Sequence, residues 1–203
     1  MAEKPLVTII TPTWNRPNDV LERNIRCVNS QTYENWEHVI CSDGYEERVE
    51  ELVREDNNPK RTYKKMDKHY NNYANEIRQK CLEEANGDYI VFYDDDNVIF
   101  PHFIEKMLGK LQEAPEDTAF TICHIIHLGP VPERLGEPPI VLTGQPVIPG
   151  NIDSLQVIIK KQALLDIGGW DIETGYMADG YTYQRLAEKY DYVELPEILC
   201  VHI

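Results

Sequence analysis

The run Asp94-Asp95-Asp96-Asn97 stands directly behind the apolar stretch Tyr89-Ile90-Val91-Phe92-Tyr93, and that junction limits what the chain can build. A short run rich in β-branched and aromatic residues reads as a buried strand, so three carboxylates must emerge at its carboxyl end. Side chains of an extended segment alternate between faces, which would turn Asp94 and Asp96 together into one cleft. Such a pair repels itself unless a cation sits between the carboxylates. Hard oxygen ligands at a strand end suit Mg2+ or Mn2+, ions that complete their shells with water and substrate phosphates. A solvated acidic turn is the plainer reading of the run. Its place behind a buried strand favours a metal-dependent enzyme acting on a phosphorylated, nucleotide-type substrate.

The rest of the chain supplies the frame. Residues 6–11 form a β-branched run ended by Pro12, a second buried strand entering a loop. Leu21, Ile25 and Val28 recur at helical spacing behind the capping candidate Asn18, and residues 37–41 make another strand stopped by Ser42-Asp43-Gly44. Val49, Leu52 and Val53 suggest a second helix. Residues 71–86 place Ala74, Ile77, Cys81, Leu82 and Ala85 on one helical face, with Gly87 as the stop. Strands alternating with helices imply βαβ units, a largely parallel sheet, and a ligand site at the carboxyl ends of its strands. Three loops meet there: residues 12–16, Asp43-Gly44 and residues 94–97.

Beyond the acidic run, Ile104, Met107, Leu108 and Leu111 give another amphipathic helix, and residues 118–128 resemble a long strand. Residues 129–150 are crowded with proline and glycine, the chemistry of a long loop able to fold over a substrate. A strand over 155–160, a Gly168-Gly169-Trp170 turn, a helix over 179–190 and a last strand ending at Ile203 follow.

At 203 residues, 42% hydrophobic and 27% charged, the chain suits one compact domain. A formal charge of -15 argues against nucleic acid or an anionic membrane surface as partner, since both reward basic patches. The five cysteines form no CxxC pair and sit mostly in apolar runs, which predicts buried, reduced thiols. The cluster Cys123, His124 and His127 lacks a second ligand pair and reads as strand rather than zinc site. Residues 1–5 lead into the first strand without a signal peptide, and no stretch is long and apolar enough for an integral membrane segment, so a cytoplasmic location is expected.

Several stretches together resemble the glycosyltransferases of family 2, which have the GT-A fold. Val7-Thr8-Ile9-Ile10-Thr11-Pro12-Thr13-Trp14-Asn15-Arg16 is similar to the family's "VSIIIPTYNR" opening, with Trp14 where tyrosine is usual. Ser30-Gln31-Thr32-Tyr33 followed by Trp36-Glu37 resembles "SQTYxxxE", and Asn86-Gly87-Asp88-Tyr89-Ile90 with the acidic run resembles "GeyixfLDxDD", Asn97 replacing the last aspartate. Asp179 with Arg185 fits "EDxxLxxR", although Ala178 stands where glutamate is common. The resemblance implies an α/β chain with a single GT-A domain over 1–203, whose Rossmann-like, mostly parallel central sheet is flanked by helices. Residues 1–100 would form the nucleotide-binding half and 101–203 the acceptor-binding half.

The implied activity is inverting transfer of a sugar from a UDP-sugar, or another nucleoside diphosphate sugar, to a hydroxyl of a glycan, glycoprotein or glycolipid acceptor. Mn2+ or Mg2+ would sit on Asp96, with Asp94 and His202 as further ligands, and Asp94 or Asp95 could instead hold the ribose. Pro12, Thr13 and Trp14 would line the base pocket, Asp43 would accept the uracil imide proton, and Arg16 or Arg78 would meet base or phosphate. Asp179 would be the general base, although a helix N-cap is its plainer role. A sugar nucleotidyltransferase normally needs a Gly-rich basic loop after the first strand, and residues 11–16 contain no glycine. A noncatalytic nucleotide- or carbohydrate-binding module would not need Asp179 beside the acidic run. The chain's end inside a strand leaves room for it to be one domain of a longer protein.

Overall fold

The computed structural model describes residues 4–203; residues 1–3, the start of the segment read as carrying no signal peptide, lie outside the described residues. Strand β1 (Val7–Thr13) is buried along its whole length, as a strand covered on both faces must be. It pairs in parallel with β2 (Trp36–Ser42) on one side and β4 (Tyr89–Phe92) on the other. Helix α1 (Asn18–Asn29) follows β1 and buries Leu21, Ile25 and Val28 as the periodicity requires. Asn18 is its first helical residue and caps nothing; Pro17 occupies the N-cap, where its fixed φ starts the turn without a side-chain bond. Helix α2 (Glu47–Asp56) returns to β3 (Arg61–Lys65), which extends the parallel set beyond β2. The order β3-β2-β1-β4 reverses direction at β1, so a crevice opens between the carboxyl ends of β1 and β4.

Helix α3 (Asn75–Glu84) begins four residues later than its apolar face suggests. Asn71, Tyr73 and Ala74 all have left-handed φ values, which no continuing helix permits. Nor is Gly87 a helix stop in the usual sense. A Cβ there would lie 2.6 Å from the Thr8 nitrogen and 2.8 Å from the Leu6 carbonyl oxygen, so its hydrogen side chain is what lets the β4 approach lie against β1. Gly87→Ala is expected to cost about 2 to 3 kcal/mol, because the opposing atoms are backbone and cannot rotate away. Urea denaturation of the two proteins checks it.

The parallel order expected of the sheet holds through β4, after which it becomes mixed. Strand β8 (Val157–Lys160) runs antiparallel to β4 and to β6 (Thr118–His127), and β9 (Asp191–His202) lies parallel to β6. The two-residue β5 (Val98–Ile99) closes the far edge against β9, and β7 (Ile140–Leu142) pairs with β6 from within the proline-rich segment. Helix α4 (Phe103–Gln112) packs Phe103, Ile104, Met107, Leu108 and Leu111 on one face of the sheet. On the other face α3 and α6 (Ala178–Lys189) share a core with Trp170, Phe92 and Phe120. The short α5 (Lys161–Asp166) joins β8 to the Gly168-Gly169 turn, where both glycines have positive φ. No helix among the described residues is long and apolar enough to cross a membrane. All five cysteines are free, and only Cys27 is not buried; Cys123 and Cys200 face each other at 3.7 Å between sulfurs.

Candidate active site

A cavity of about 660 Å³ opens over the carboxyl ends of β1 and β4, and every residue nominated from the sequence lines it: Pro12, Thr13, Trp14, Arg16, Asp43, Arg78, Asp94, Asp95, Asp96, Asp179 and His202. The acidic run does not enter it as an extended strand. Strand β4 ends at Phe92 and Asn97 N–H donates to the Asp94 carbonyl, so the carboxylates converge through a turn rather than by strand alternation. Helix α1 fixes that turn by its backbone: Arg23 Nη2 donates to the Asp96 carbonyl at 2.6 Å and Asn24 Nδ2 to the Asp94 carbonyl at 3.3 Å. Asn97 is fully buried and its side chain accepts the Ile203 amide, a structural tie to the end of β9 rather than a ligand position.

Two arginines brace the three carboxylates. Arg16 donates through Nε to Asp95 at 3.0 Å and through Nη2 to Asp96 at 2.6 Å. Asp95 is 3% exposed, and burial pushes its carboxyl up to about 6 even though Arg16 pulls it the other way. Arg78, on α3, pairs with Asp94, donates to the Tyr73 carbonyl at 2.7 Å, and lies 5.1 Å from the Trp170 ring centre. Burial would lower its pKa, but Asp94 raises it, so Arg78 stays charged. Ser154 Oγ donates to the other Asp94 oxygen at 3.2 Å.

At one end of the cavity Trp14 stacks on His69, with ring centres 4.2 Å apart. Asp43 accepts the Tyr70 and Asn71 amides at 2.8 and 2.9 Å and lies 3.0 Å from His69 Nδ1. Both its oxygens are engaged, so Asp43 holds the 69–71 loop whatever else it binds. At the other end, Asp179 sits in the first turn of α6 and accepts the Gly180 amide at 2.7 Å; it is not the N-cap, which is Met177. Burial and the charge of Asp153 push the Asp179 carboxyl up to about 7, against the pull of the Gly180 amide and Arg78. Gly180 packs against the proline-rich segment so closely that a Cβ would stand 2.3 Å from Pro149 Cα. That contact seats residues 129–153 across the site.

His202 brings two partners that sequence reading passed over. Its Nδ1 lies 2.8 Å from Asp153 Oδ2, close enough for an ion pair but not aligned as a hydrogen bond. Its ring stacks on His127 at 4.0 Å, because β6 and β9 run in parallel with those two residues in register. Burial would lower the His202 pKa, yet Asp153 lifts it; His127 is held down by burial and by its charged neighbour. Burial would raise the Asp153 carboxyl, but His202 holds it below the usual range. Donor atoms of His127, Asp153 and His202 all lie within 4.8 Å of one another, a set of two imidazoles and a carboxylate able to hold a divalent ion. Asp153 carries no local signal of its own, and His127, read from its cluster as an ordinary strand residue, instead stands in this group of donors. Cys123 is buried against Cys200, so the sequence cluster around His127 supplies only that histidine.

Comparison with known proteins fits this arrangement. WcaA of Escherichia coli (strain K12), which carries the name of a colanic acid biosynthesis glycosyl transferase, is 34% identical over 116 residues, 56% of this chain and 40% of its own length. The crystal structure of S. aureus TarS 1–349 in complex with UDP-GlcNAc superposes with a TM-score of 0.75 at 15% identity, covering 96% of this chain and 57% of that one. The mannosyltransferase PcManGT from Pyrobaculum calidifontis, solved with GDP-Man and Mn2+, gives 0.73 at 19% identity over 98% of this chain and 57% of its own. The chain thus spans well under two thirds of each of these proteins, and the structural likeness bears out the GT-A fold. Residues 8–161 match the family model described as Glycosyl transferase family 2, the stretch that carries both the β1 loop and the acidic turn, and the chain belongs to that family.

Proposed function

We propose that the chain transfers a sugar from a nucleoside diphosphate sugar, UDP-linked by preference, to an acceptor hydroxyl with inversion at the anomeric carbon. The observation that carries this reading is the placing of Asp179, poised near neutrality, in the same cavity as the arginine-braced acidic turn. The acceptor oxygen attacks the anomeric carbon while the bond from that carbon to the diphosphate oxygen breaks. The hydroxyl proton passes to the Asp179 carboxylate, and the nucleoside diphosphate leaves. Attack opposite the leaving group inverts the centre.

Trp14 and its His69 partner offer a face for the base, with Pro12 and Thr13 beside them, and Asp43 stands at the same end to accept an imide proton. Arg16 and Arg78 set the charge and position of the acidic turn, and either can turn a free guanidinium donor toward phosphate. Asp96, Asp94 and His202 would hold Mn2+ or Mg2+, and the neighbouring His127 and Asp153 give the site imidazole as well as carboxylate donors, which favours Mn2+. When bound, the ion supplies Lewis-acid neutralisation of the departing diphosphate. Nucleotide sugars in the TarS and PcManGT structures, and Mn2+ in the latter, support this assignment. Residues 1–100 serve the nucleotide and 101–203 the glycan, glycoprotein or glycolipid acceptor, in a cytoplasmic setting that agrees with five free cysteines.

Incubated with Mn2+ and a panel of UDP- and GDP-sugars, the purified chain is expected to release nucleoside diphosphate from one donor class, and chelation by EDTA to stop the release. Intact donors throughout, with a folded protein, would refute the assignment.

A further inference from the structure

Three exposed aromatic side chains line the cavity: Trp14, Tyr73 and Tyr176. Trp14 is committed to His69. Tyr73 and Tyr176 are 67% and 66% exposed, and neither phenol has a hydrogen-bond partner among the described residues. Tyr73 and Tyr176 meet in one patch at the mouth of a polar cavity, and it is contiguous exposed apolar surface of this kind that marks a ligand groove.

Tyr73 is also held against its own preference. Its φ of 59° lies in the left-handed region, a rare conformation for a bulky side chain, and Ala74 beside it has φ of 61°. The strained turn is pinned in place: Arg78 donates to the Tyr73 carbonyl, Asn75 Nδ2 donates to the Gly175 carbonyl at 2.9 Å, and Trp170 Nε1 donates to Asn75 Oδ1 at 3.0 Å. Those bonds join the segment that carries Tyr73 to the one that carries Tyr176, a hundred residues away. The two rings form a corner, with centres 6.2 Å apart and planes at 66°. Tyr176 lies three residues before Asp179, and its phenol is raised by the partial burial of its surroundings and by the charges of Asp179 and Asp153.

We propose that Tyr176 and Tyr73, the latter reaching across from the nucleotide-binding half, are the acceptor subsite, an aromatic corner that takes one pyranose ring of a neutral glycoside and presents its hydroxyl to Asp179. A pyranose has an apolar face of axial C–H groups that packs on an aromatic ring, and its equatorial hydroxyls suit the free phenols. Charge favours a neutral ring over the main alternative, a phosphorylated polyol or lipid. No lysine lines the cavity, the spare donors of Arg16 and Arg78 lie beside the acidic turn where the diphosphate is assigned, and Asp179 puts a carboxylate rather than a cation next to the aromatic corner. This inference rests on the transferase reading for its geometry, but its test needs no turnover.

Saturation-transfer NMR of the chain with UDP and Mn2+ is run against methyl β-D-glucopyranoside, -galactopyranoside, -mannopyranoside and the N-acetylglucosaminide, with glycerol 3-phosphate as the anionic probe. Transfer is expected to the protons of one pyranose face, and weaker or none to glycerol 3-phosphate. Tyr176→Ala and Tyr73→Gly, the latter also relieving the backbone, are each expected to weaken glycoside binding about tenfold with UDP affinity unmoved, and Tyr176→Phe to restore most of it. Stronger transfer to glycerol 3-phosphate, silence from every glycoside, or a loss of UDP affinity in Tyr73→Gly would overturn the assignment. Glycoside binding by a chain that cleaves no nucleotide sugar would sink the transferase reading and leave the subsite standing.

Discussion

Asp179→Asn is expected to lower sugar transfer by a factor of about 10² to 10⁴, the usual worth of a positioned general base, while nucleotide affinity stays within about twofold. The substitution keeps the shape and the acceptor oxygen that receives the Gly180 amide, so α6 starts as before. What it removes is a buried carboxylate whose proton affinity suits a general base. Because burial lifts the Asp179 carboxyl to about 7, the wild-type rate should fall as the pH drops through that value, and the variant's residual rate should lose this limb. The stability consequence has the opposite sign. A carboxyl raised from 3.8 in the unfolded chain to about 7 in the folded one contributes stability at low pH that is lost as pH rises between those values. Asp179→Asn should therefore melt higher than wild type, by a margin that grows from pH 4 toward pH 7. Transfer assays and thermal melts over that range check both statements together. Unchanged transfer by the variant would remove Asp179 from the mechanism.

The parallel half of the sheet was legible because its strands are buried on both faces and read as unbroken apolar runs. Residues 6–11, 37–41 and 89–93 could hardly be anything else. Strand β3 was missed for the converse reason: Arg61-Thr62-Tyr63-Lys64-Lys65 has no strand pattern of its own and is made one by pairing with β2, where Arg61 donates to buried His38 at 2.9 Å. Strand β7 hides within the proline-rich segment, since three residues paired to β6 leave no periodic trace.

The site divides the same way. Residues at the ends of β1 and β4 announce themselves, because a strand's carboxyl end is a local feature. Asp153, His127 and His69 reach the cavity by pairings that local sequence does not encode. His127 meets His202 through the register of β6 with β9, strands far apart in sequence whose pairing leaves no local trace. Tyr73 went unremarked because helical periodicity was extended over residues that the backbone holds left-handed. The alternation argument for Asp94 and Asp96 reached the correct cavity by an incorrect route, since a turn, not a strand, aims them.

Asp96→Ala separates the two jobs of the acidic turn. Asp96 is only partly buried and shares Arg16 with Asp95, so its removal leaves Arg16 bonded through Nε to a carboxylate that no longer feels one of its like-charged neighbours. Little stability is at risk, because an exposed ion pair is worth about 0 to 1 kcal/mol and the backbone bonds from Arg23 and Asn24 to the turn do not involve the Asp96 side chain. Affinity for the nucleotide in the presence of Mn2+ is a different matter. If Asp96 holds the divalent ion that would neutralise the diphosphate, its loss should weaken UDP binding on the order of 100-fold with Mn2+ present. Calorimetric titration with UDP in Mn2+ and in EDTA gives the contrast: wild type binds far more tightly with the metal, whereas Asp96→Ala should bind about equally weakly in both. A melting temperature within about 2 °C of wild type would show that the fold has not been the casualty. Retention of the full Mn2+ enhancement would move the ion off Asp96, toward the His127, Asp153 and His202 donors alone.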